Sequence, residues 1–165
     1  RRLMRVLGID PGTATTGYAV VDENEGRLEL VTMGVITTPA KTPLPLRLKQ
    51  IYKHLHEIII DHDPEASAVE ELFFSRNART AMSVGQARGV TLLALVDADL
   101  PIVEYTPMQI KQAVTGYGNA GKRQVQEMVR VLLNLQAIPK PDDAADAAAV
   151  AICYLHRAKL DALLE

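Results

Sequence analysis

The chain has 165 residues, 48% of them hydrophobic and 23% charged, with a formal net charge of −2 and a pI near 6.1. This length predicts a single domain over residues 1–165, long enough to bury a core without disulfides. No apolar run approaches the roughly 20 residues that cross a bilayer, and the weak net charge means that any nucleic-acid binding must depend on local charge. A lone cysteine, Cys153, and an opening RRLMRVL that does not resemble a secretory signal indicate a cytoplasmic protein, with Met4 as a candidate natural start.

The first third of the chain predicts three consecutive strands. Residues 4–10, 15–22 and 28–37 are rich in Val, Ile, Leu, Thr and Tyr. The turn signals DPG at 10–12 and ENEG at 23–26 separate them. Because these connections are short, the three strands are expected to form an antiparallel meander.

The rest of the chain alternates helices with strands. Apolar residues recur at helical spacing over 46–62, and Asp63-Pro64 ends that helix. The further predicted elements are a strand at 66–72, a helix at 77–98, a strand at 101–105, a short helix at 107–114 capped by Thr106, a glycine-rich loop at 115–122, a helix after it, and an alanine-rich helix from about Asp142. This order predicts an α/β, ribonuclease-H-like fold, with a mixed five-stranded sheet flanked by helices.

Four acidic residues lie at the ends of predicted elements. Asp10 ends the first strand and Glu70 lies at the end of the fourth, while Asp143 and Asp146 are three residues apart at the start of the last helix and therefore share one helix face. Each has a simpler interpretation on its own. Asp10 suits a turn before Pro-Gly, Glu70 suits a solvent-facing position, and the last pair suits the helix dipole.

Taken together, the four acids favour a metal site. The predicted topology brings these element ends to one place, where unpaired carboxylates repel each other and raise each other's pKa values. Divalent cations remove that repulsion, and hard oxygen ligands select Mg²⁺ or Mn²⁺. Two such ions can promote in-line attack of water on a phosphodiester and stabilise the leaving oxygen. The sequence contains no His/Cys spacing typical of zinc sites.

Four segments in chain order resemble the motif blocks of the RuvC family of Holliday-junction endonucleases. They are GIDPGTATTGYAVV, VEELFFSRNARTAMSVGQARGV, YTPMQIKQAVTGYGNAGKRQVQEMV and DDAADAAAVAICY. The resemblance covers about residues 4–157. It implies a homodimer that binds a four-way DNA junction and resolves it by paired symmetric nicks in homologous recombination and repair. It also implies a branch-migration complex, RuvA and RuvB, as partner.

The resemblance assigns roles residue by residue. It implies that Asp10, Glu70, Asp143 and Asp146 are catalytic and hold two Mg²⁺ ions per active site, with Mn²⁺ as a substitute, and that cleavage leaves 5′-phosphate and 3′-hydroxyl ends. The implied DNA contacts are Phe73, Arg76, Lys111 and Lys122. One of Phe73 and Phe74 is expected to fill the core, and Phe73 is assigned to the DNA. Asp142, which precedes the DAAD tetrad, is expected to be a helix-capping or solvent residue.

Other basic and small residues extend this interpretation. Arg79, Arg88 and Arg123 are candidates to extend the DNA surface, or are solvated surface charges. The loop TGYGNAGK resembles a phosphate cradle at a helix N-terminus, but Arg123 stands where a nucleotide-binding P-loop needs Ser or Thr. Small residues along the helix 77–98 suit either a dimer contact or packing on the chain's own sheet. They are Ala78, Ala81, Gly85 and Gly89.

Three alternative functions fit the sequence less well. A YqgF-like nuclease acting on RNA shares the GIDPG-type start, although VEELFF and the DAAD helix fit RuvC better. A catalytically silent junction-binding module would bind without cutting, and the four retained acids argue against it. An actin-like ATPase needs two lobes that clasp a nucleotide, which 165 residues cannot hold.

Overall fold

A computed structural model of the chain describes residues 3–71 and 77–165. The elements are β1 (Met4–Asp10), β2 (Thr15–Asn24), β3 (Arg27–Thr37), α1 (Leu44–His62), β4 (Ala66–Glu70), α2 (Ala78–Asp97), β5 (Ile102–Tyr105), α3 (Pro107–Thr115), α4 (Lys122–Leu132) and α5 (Asp142–Leu164). The five strands form one sheet in the order β3-β2-β1-β4-β5. β1 is therefore the central strand.

The register of the sheet decides which side chains share a face. β1 runs antiparallel to β2, with Asp10 opposite Gly17, and parallel to β4, with Ile9 beside Val69. Side chains alternate between the two faces along each strand. Asp10, Gly17 and the next residue of β4, Glu70, consequently point to the same side of the sheet.

That side, called the α5 face below, is covered by α5 together with α3 and α4. Its core consists of small residues: Val6, Ala19, Val21, Ala66 and Ala68 from the sheet meet the alanine run of α5. The backbone of α5 comes very near β1, since an added Cβ at Gly8 would lie 2.3 Å from the carbonyl oxygen of Ala147. This contact is possible only because position 8 has no side chain.

The opposite side, called the α1–α2 face below, carries α1 and α2. Its core is built from larger side chains, including Leu7, Ile9 and Val20 of the sheet and Ile51, Leu55 and Leu95 of the helices. All six are completely buried. The alternation of β1 thus directs Leu7 and Ile9 to one face and Val6, Gly8 and Asp10 to the other.

The predicted fold class is confirmed, and the element boundaries agree within a few residues. α1 begins at Leu44 rather than 46, because Pro45 is accommodated in its first turn. β4 ends at Glu70 rather than 72. Thr106 caps α3 as predicted, and Gln109 completes a capping box with it. Within the described residues, no helix is both long and apolar enough to span a membrane.

Candidate metal centre

The site begins with two neighbouring strand ends. Asp10 is the last residue of β1 and Glu70 the last residue of β4. Both are partly exposed, whereas the residues before them, Ile9 and Val69, are fully buried. The sheet therefore presents two adjacent carboxyl groups at its edge, on the α5 face.

The N-terminus of α5 brings two further carboxylates to this edge. Asp143 and Asp146 lie in its first turns, and carboxylate oxygens of Asp10, Asp143 and Asp146 all fall within 4.8 Å of one another. Glu70 joins the group through a hydrogen bond with Asp10. The structure thus brings together all four acids that the sequence singled out.

Crowding and burial keep part of this cluster protonated. Desolvation, followed by repulsion from Glu70 and Asp146, raises the pKa of Asp10 to about 9. Desolvation also raises the pKa of Glu70, although the hydrogen bond from Asp10 opposes that rise. The pKa of Asp146 is likewise raised by desolvation, against the favourable charge of Lys122. Burial and crowding therefore favour the protonated form of Asp10, which is hydrogen-bonded to Glu70.

Two lysines face the cluster. Lys122, the first residue of α4, lies 3.9 Å from Asp146 and 3.2 Å from Asp142, measured from Nζ to the nearer carboxylate oxygen. Asp146 is the main reason that the pKa of Lys122 is raised. Lys111 of α3 lies in the same cleft, and its charge favours the ionised form of Glu70.

Three of the four acids open onto two adjoining clefts. One, of about 260 Å³, is lined by Asp10, Glu70 and Arg88 among others. The second, of about 280 Å³, is lined by Glu70, Asp146, Lys111 and Lys122 among others. Glu70 borders both and therefore lies where the two clefts meet, whereas Asp143 lines a separate cleft beside Thr13. Pro107, at the start of α3, is also common to both.

Asp142 and Arg88 make contacts beside the site that the sequence did not predict. Asp142 does not cap α5, since Pro141 occupies the N-cap position; it is an exposed residue that pairs with Lys122. Arg88 forms an ion pair with Glu104 and donates a hydrogen bond of 3.1 Å to the backbone carbonyl of Glu70. Arg88 therefore supports the end of β4 beside the site. An arginine in the middle of a mostly apolar helix was the available signal for this role.

The predicted DNA contacts are only partly described. Lys111 and Lys122 lie at the clefts. Phe73 and Arg76, together with Phe74, lie outside the described residues.

The donor set fits a hard divalent cation. Three carboxylates within 4.8 Å of one another offer oxygen ligands, the ligand type that Mg²⁺ and Mn²⁺ prefer. The raised pKa values of Asp10 and Glu70 show that the acids are poorly compensated by the protein alone, and a bound cation would provide the missing charge.

A mixed sheet in this order, with carboxylates at the ends of its central strands, defines a ribonuclease-H-like protein. The yeast mitochondrial Holliday junction resolvase Ydc2 shares the fold, with a TM-score of 0.65 at 16% identity over 96% of this chain and 82% of that chain.

Comparison with known proteins gives a narrower assignment. The family model "Crossover junction endodeoxyribonuclease RuvC" matches residues 6–154. A relative of that name from Syntrophomonas wolfei is 54% identical over 162 residues, or 98% of this chain and 94% of the relative. One from Chloroflexus aurantiacus is 58% identical over 155 residues, or 94% of each. Thermus thermophilus RuvC, solved in complex with a Holliday junction substrate, superposes with a TM-score of 0.91 at 38% identity over 96% of both chains. The chain belongs to the RuvC family of crossover junction endodeoxyribonucleases.

Proposed function

We propose that this protein is a structure-selective endonuclease that resolves four-way DNA junctions by paired symmetric nicks, in recombination and repair. The observation that carries the proposal is the convergence of four carboxylates at one sheet edge, in a chain that matches the RuvC family over residues 6–154. The proposal includes one nuclease domain over residues 1–165. The single buried cysteine fits the reducing cytoplasm in which such an enzyme would act.

The proposed cofactor is Mg²⁺, two ions per active site, with Mn²⁺ as a substitute. Asp10, Asp143 and Asp146 would provide carboxylate ligands for the ions, together with Glu70, which lies beside Asp10. When bound, the ions lower the pKa of water and neutralise charge that develops on the phosphodiester. Because burial and repulsion raise the pKa of Asp10, and a metal ligand must be ionised, metal binding should release a proton and metal affinity should increase with pH.

The protein's own residues would orient the DNA strand. Lys111 and Lys122 flank the second cleft and can each neutralise a backbone phosphate. Lys122 already contacts Asp142 and Asp146, so a phosphate in the cleft would share this lysine with the acids. Contacts from Phe73 and Arg76 complete the proposal on the strength of the family resemblance.

A homodimer is proposed because two symmetric cuts require two sites related by a two-fold axis. An exposed apolar stripe on α2 supports it: Met82, Leu93 and Val96 are 67%, 55% and 58% exposed. They share a helix face with exposed Gly89, where an added Cβ would meet no atom of the described residues within 4 Å. Gly89 therefore does not pack on the chain's own sheet. RuvA and RuvB are proposed partners on the family resemblance alone.

The deciding experiment is cleavage of end-labelled four-way junctions, with linear duplex as control, by wild type and Asp10→Asn with and without Mg²⁺. We expect paired nicks at symmetric positions confined to the junction, absent in the variant and without metal. Asp10→Asn should still bind the junction in a gel-shift assay. Tight binding by wild type with no nicks under any divalent metal would leave a binding module and overturn the enzyme proposal. Faster cutting of single-stranded RNA would favour the YqgF-like alternative.

The dimer is tested by the substitution Leu93→Asp on α2. Ile60→Asp on α1 is the matched control, because the Leu93 and Ile60 side chains are both highly exposed. Analytical ultracentrifugation should show a monomer for Leu93→Asp and a dimer for Ile60→Asp and wild type. Nicking should then become unpaired in Leu93→Asp. A dimer that survives Leu93→Asp would place the interface elsewhere.

A further inference from the structure

We propose that Gly17 is a positioning residue for metal selectivity: the missing side chain at this position lets α5 approach the sheet closely enough for Asp143 to share a cation with Asp10. The inference rests on the proposed metal-dependent nuclease. Under this proposal Gly17, which has no side chain, determines how far the Asp143 carboxylate lies from that of Asp10.

The geometry at Gly17 is unusually tight. Gly17 is directly opposite Asp10 in the β1–β2 ladder, so both point to the α5 face. An added Cβ at Gly17 would lie 1.9 Å from the carbonyl oxygen of Asp143, 2.4 Å from its carbonyl carbon and 3.1 Å from its Cβ. Gly17 thus lies between the two carboxylate-bearing residues, under the first turn of α5.

The neighbour at this contact cannot yield locally. It is the backbone of Asp143 in a helix, not the end of a flexible side chain. One turn further on, α5 is held by a second close contact between Gly8 and Ala147, and the buried alanines that follow are packed on the sheet. An alanine at position 17 would have to move the Asp143 backbone by about 1 Å to reach the 3.0 Å below which Cβ contacts are essentially never observed. That displacement passes directly to the Asp143 carboxylate.

Different cations should respond differently to such a displacement. Mg²⁺ requires near-ideal octahedral geometry at about 2.0–2.1 Å, whereas Ca²⁺ accepts about 2.3–2.6 Å and irregular coordination. A shift of about 1 Å should therefore affect Mg²⁺ binding far more than Ca²⁺ binding. General loss of stability would weaken the binding of both ions alike, so the ratio of the two affinities separates positioning from a merely structural effect.

The experiment compares wild type, Gly17→Ala and Gly34→Ala by calorimetric titration with Mg²⁺ and with Ca²⁺. Gly34 is the matched control: it lies in β3, and its added Cβ would meet the Tyr18 hydroxyl at 2.6 Å, the end of a side chain that can rotate away. For Gly17→Ala we expect the Mg²⁺ dissociation constant to rise by about tenfold or more and the Ca²⁺ constant to change by less than about threefold. Cleavage with Mg²⁺ should fall by about 10²-fold, the typical effect of a 1 Å misplacement. Gly34→Ala should match wild type in both titrations.

The inference would be overturned if Gly17→Ala bound both ions as tightly as wild type does. It would also be overturned if the variant lost Mg²⁺ affinity and Ca²⁺ affinity by the same factor. If Gly17→Ala does not fold, Gly8→Ala tests the same approach one turn along α5, and an Mg²⁺-selective loss is again expected; an unchanged Mg²⁺-to-Ca²⁺ ratio there would overturn the inference. Failure of the proposed function is visible separately, because it appears as missing junction cleavage in the wild type itself.

Discussion

The two faces of the sheet are packed by opposite means. On the α1–α2 face, leucine and isoleucine side chains such as Leu7, Ile51 and Leu55 fill the space between helices and sheet. On the α5 face, Gly8 and Gly17 let the α5 backbone lie directly against the strands. Large buried side chains contribute about 1.5–3 kcal/mol each to stability through the hydrophobic effect. Glycine and alanine contribute much less, but they allow the α5 backbone to lie close to the sheet.

One face of the sheet mainly stabilises the fold, and the other mainly positions the acidic residues. The α1–α2 face provides much of the apolar burial and carries none of the four acids. The α5 face carries all four, and its close packing determines where Asp143 and Asp146 lie relative to Asp10 and Glu70. The two faces should consequently fail in different ways when they are mutated.

The largest effect is expected from Glu70→Gln, compared with Glu57→Gln as its control. Glu70 points to the α5 face and interacts with Asp10, whereas Glu57 is an exposed residue of α1, on the opposite side of the sheet. Glu70→Gln should lower the single-turnover cleavage rate by about 10³-fold or more, since metal-ion stabilisation of the transition state is worth several kcal/mol. Glu57→Gln should remain within about threefold of wild type. Similar rates for the two variants would contradict the assignment of Glu70.

A pair of core substitutions should separate the two faces directly. Leu55→Ala leaves a cavity on the α1–α2 face and should lower the free energy of unfolding by about 2–5 kcal/mol while Mg²⁺ affinity is retained. Ala147→Leu overpacks the α5 face, should cost about 1–3 kcal/mol, and should abolish Mg²⁺ binding by displacing α5. Urea unfolding and calorimetry measure both quantities. Loss of Mg²⁺ affinity in folded Leu55→Ala would show that the faces are not separable.

The pH dependence of stability should reveal the repulsion on the α5 face. In the metal-free protein the pKa of Asp10 is raised to about 9, against about 3.9 in an unfolded chain. Between these values the folded state binds the extra proton, so stability falls as pH rises through this range. Asp10→Asn removes this contribution, and its free energy of unfolding should therefore decrease less than that of wild type between pH 5 and 9, measured by urea unfolding in EDTA. Parallel pH curves for the two proteins would contradict the raised pKa.

The smallest effect is expected at the rim of the α5 face. Lys122→Ala should weaken junction binding by several-fold and reduce the slope of log affinity against log salt by about one phosphate equivalent. Lys53→Ala, an exposed lysine on α1, is the control and should leave both values unchanged. The measurement is a gel-shift or anisotropy titration at four salt concentrations. An unchanged slope in Lys122→Ala would remove this lysine from the DNA surface.

Much of the fold was readable from the sequence, because its signals are local. Alternation and turn residues predicted β1, β2 and β3, and the strand ends placed Asp10 and Glu70 at the sheet edge. The pairing of Asp143 with Asp146 followed from helical spacing. Family resemblance then connected these acids to one site.

The remaining features depend on contacts between distant segments. Nothing near Gly17 in the sequence indicates that Asp143 lies above it, because that contact joins residues 126 positions apart. The ion pair between Lys122 and Asp142 and the support of Glu70 by Arg88 are likewise tertiary. A glycine in a strand indicates that another backbone approaches closely, but it does not indicate which segment of the chain this is.

The alanine run of α5 has a consequence for how this protein can evolve. Residues 144–151 are buried apart from Asp146, and seven of these eight positions are Ala or Val. Enlarging one of them displaces the helix from the sheet or from α3 and α4, which pack on its other sides, and replacing an alanine by glycine weakens the helix by about 1 kcal/mol. Few single substitutions are therefore tolerated in this part of α5. Volume-conserving exchanges among the leucines and isoleucines of the α1–α2 face, by contrast, cost little stability. In a saturation library selected for folding and repair activity, sequence diversity should therefore accumulate around α1 and stay nearly absent from the first half of α5.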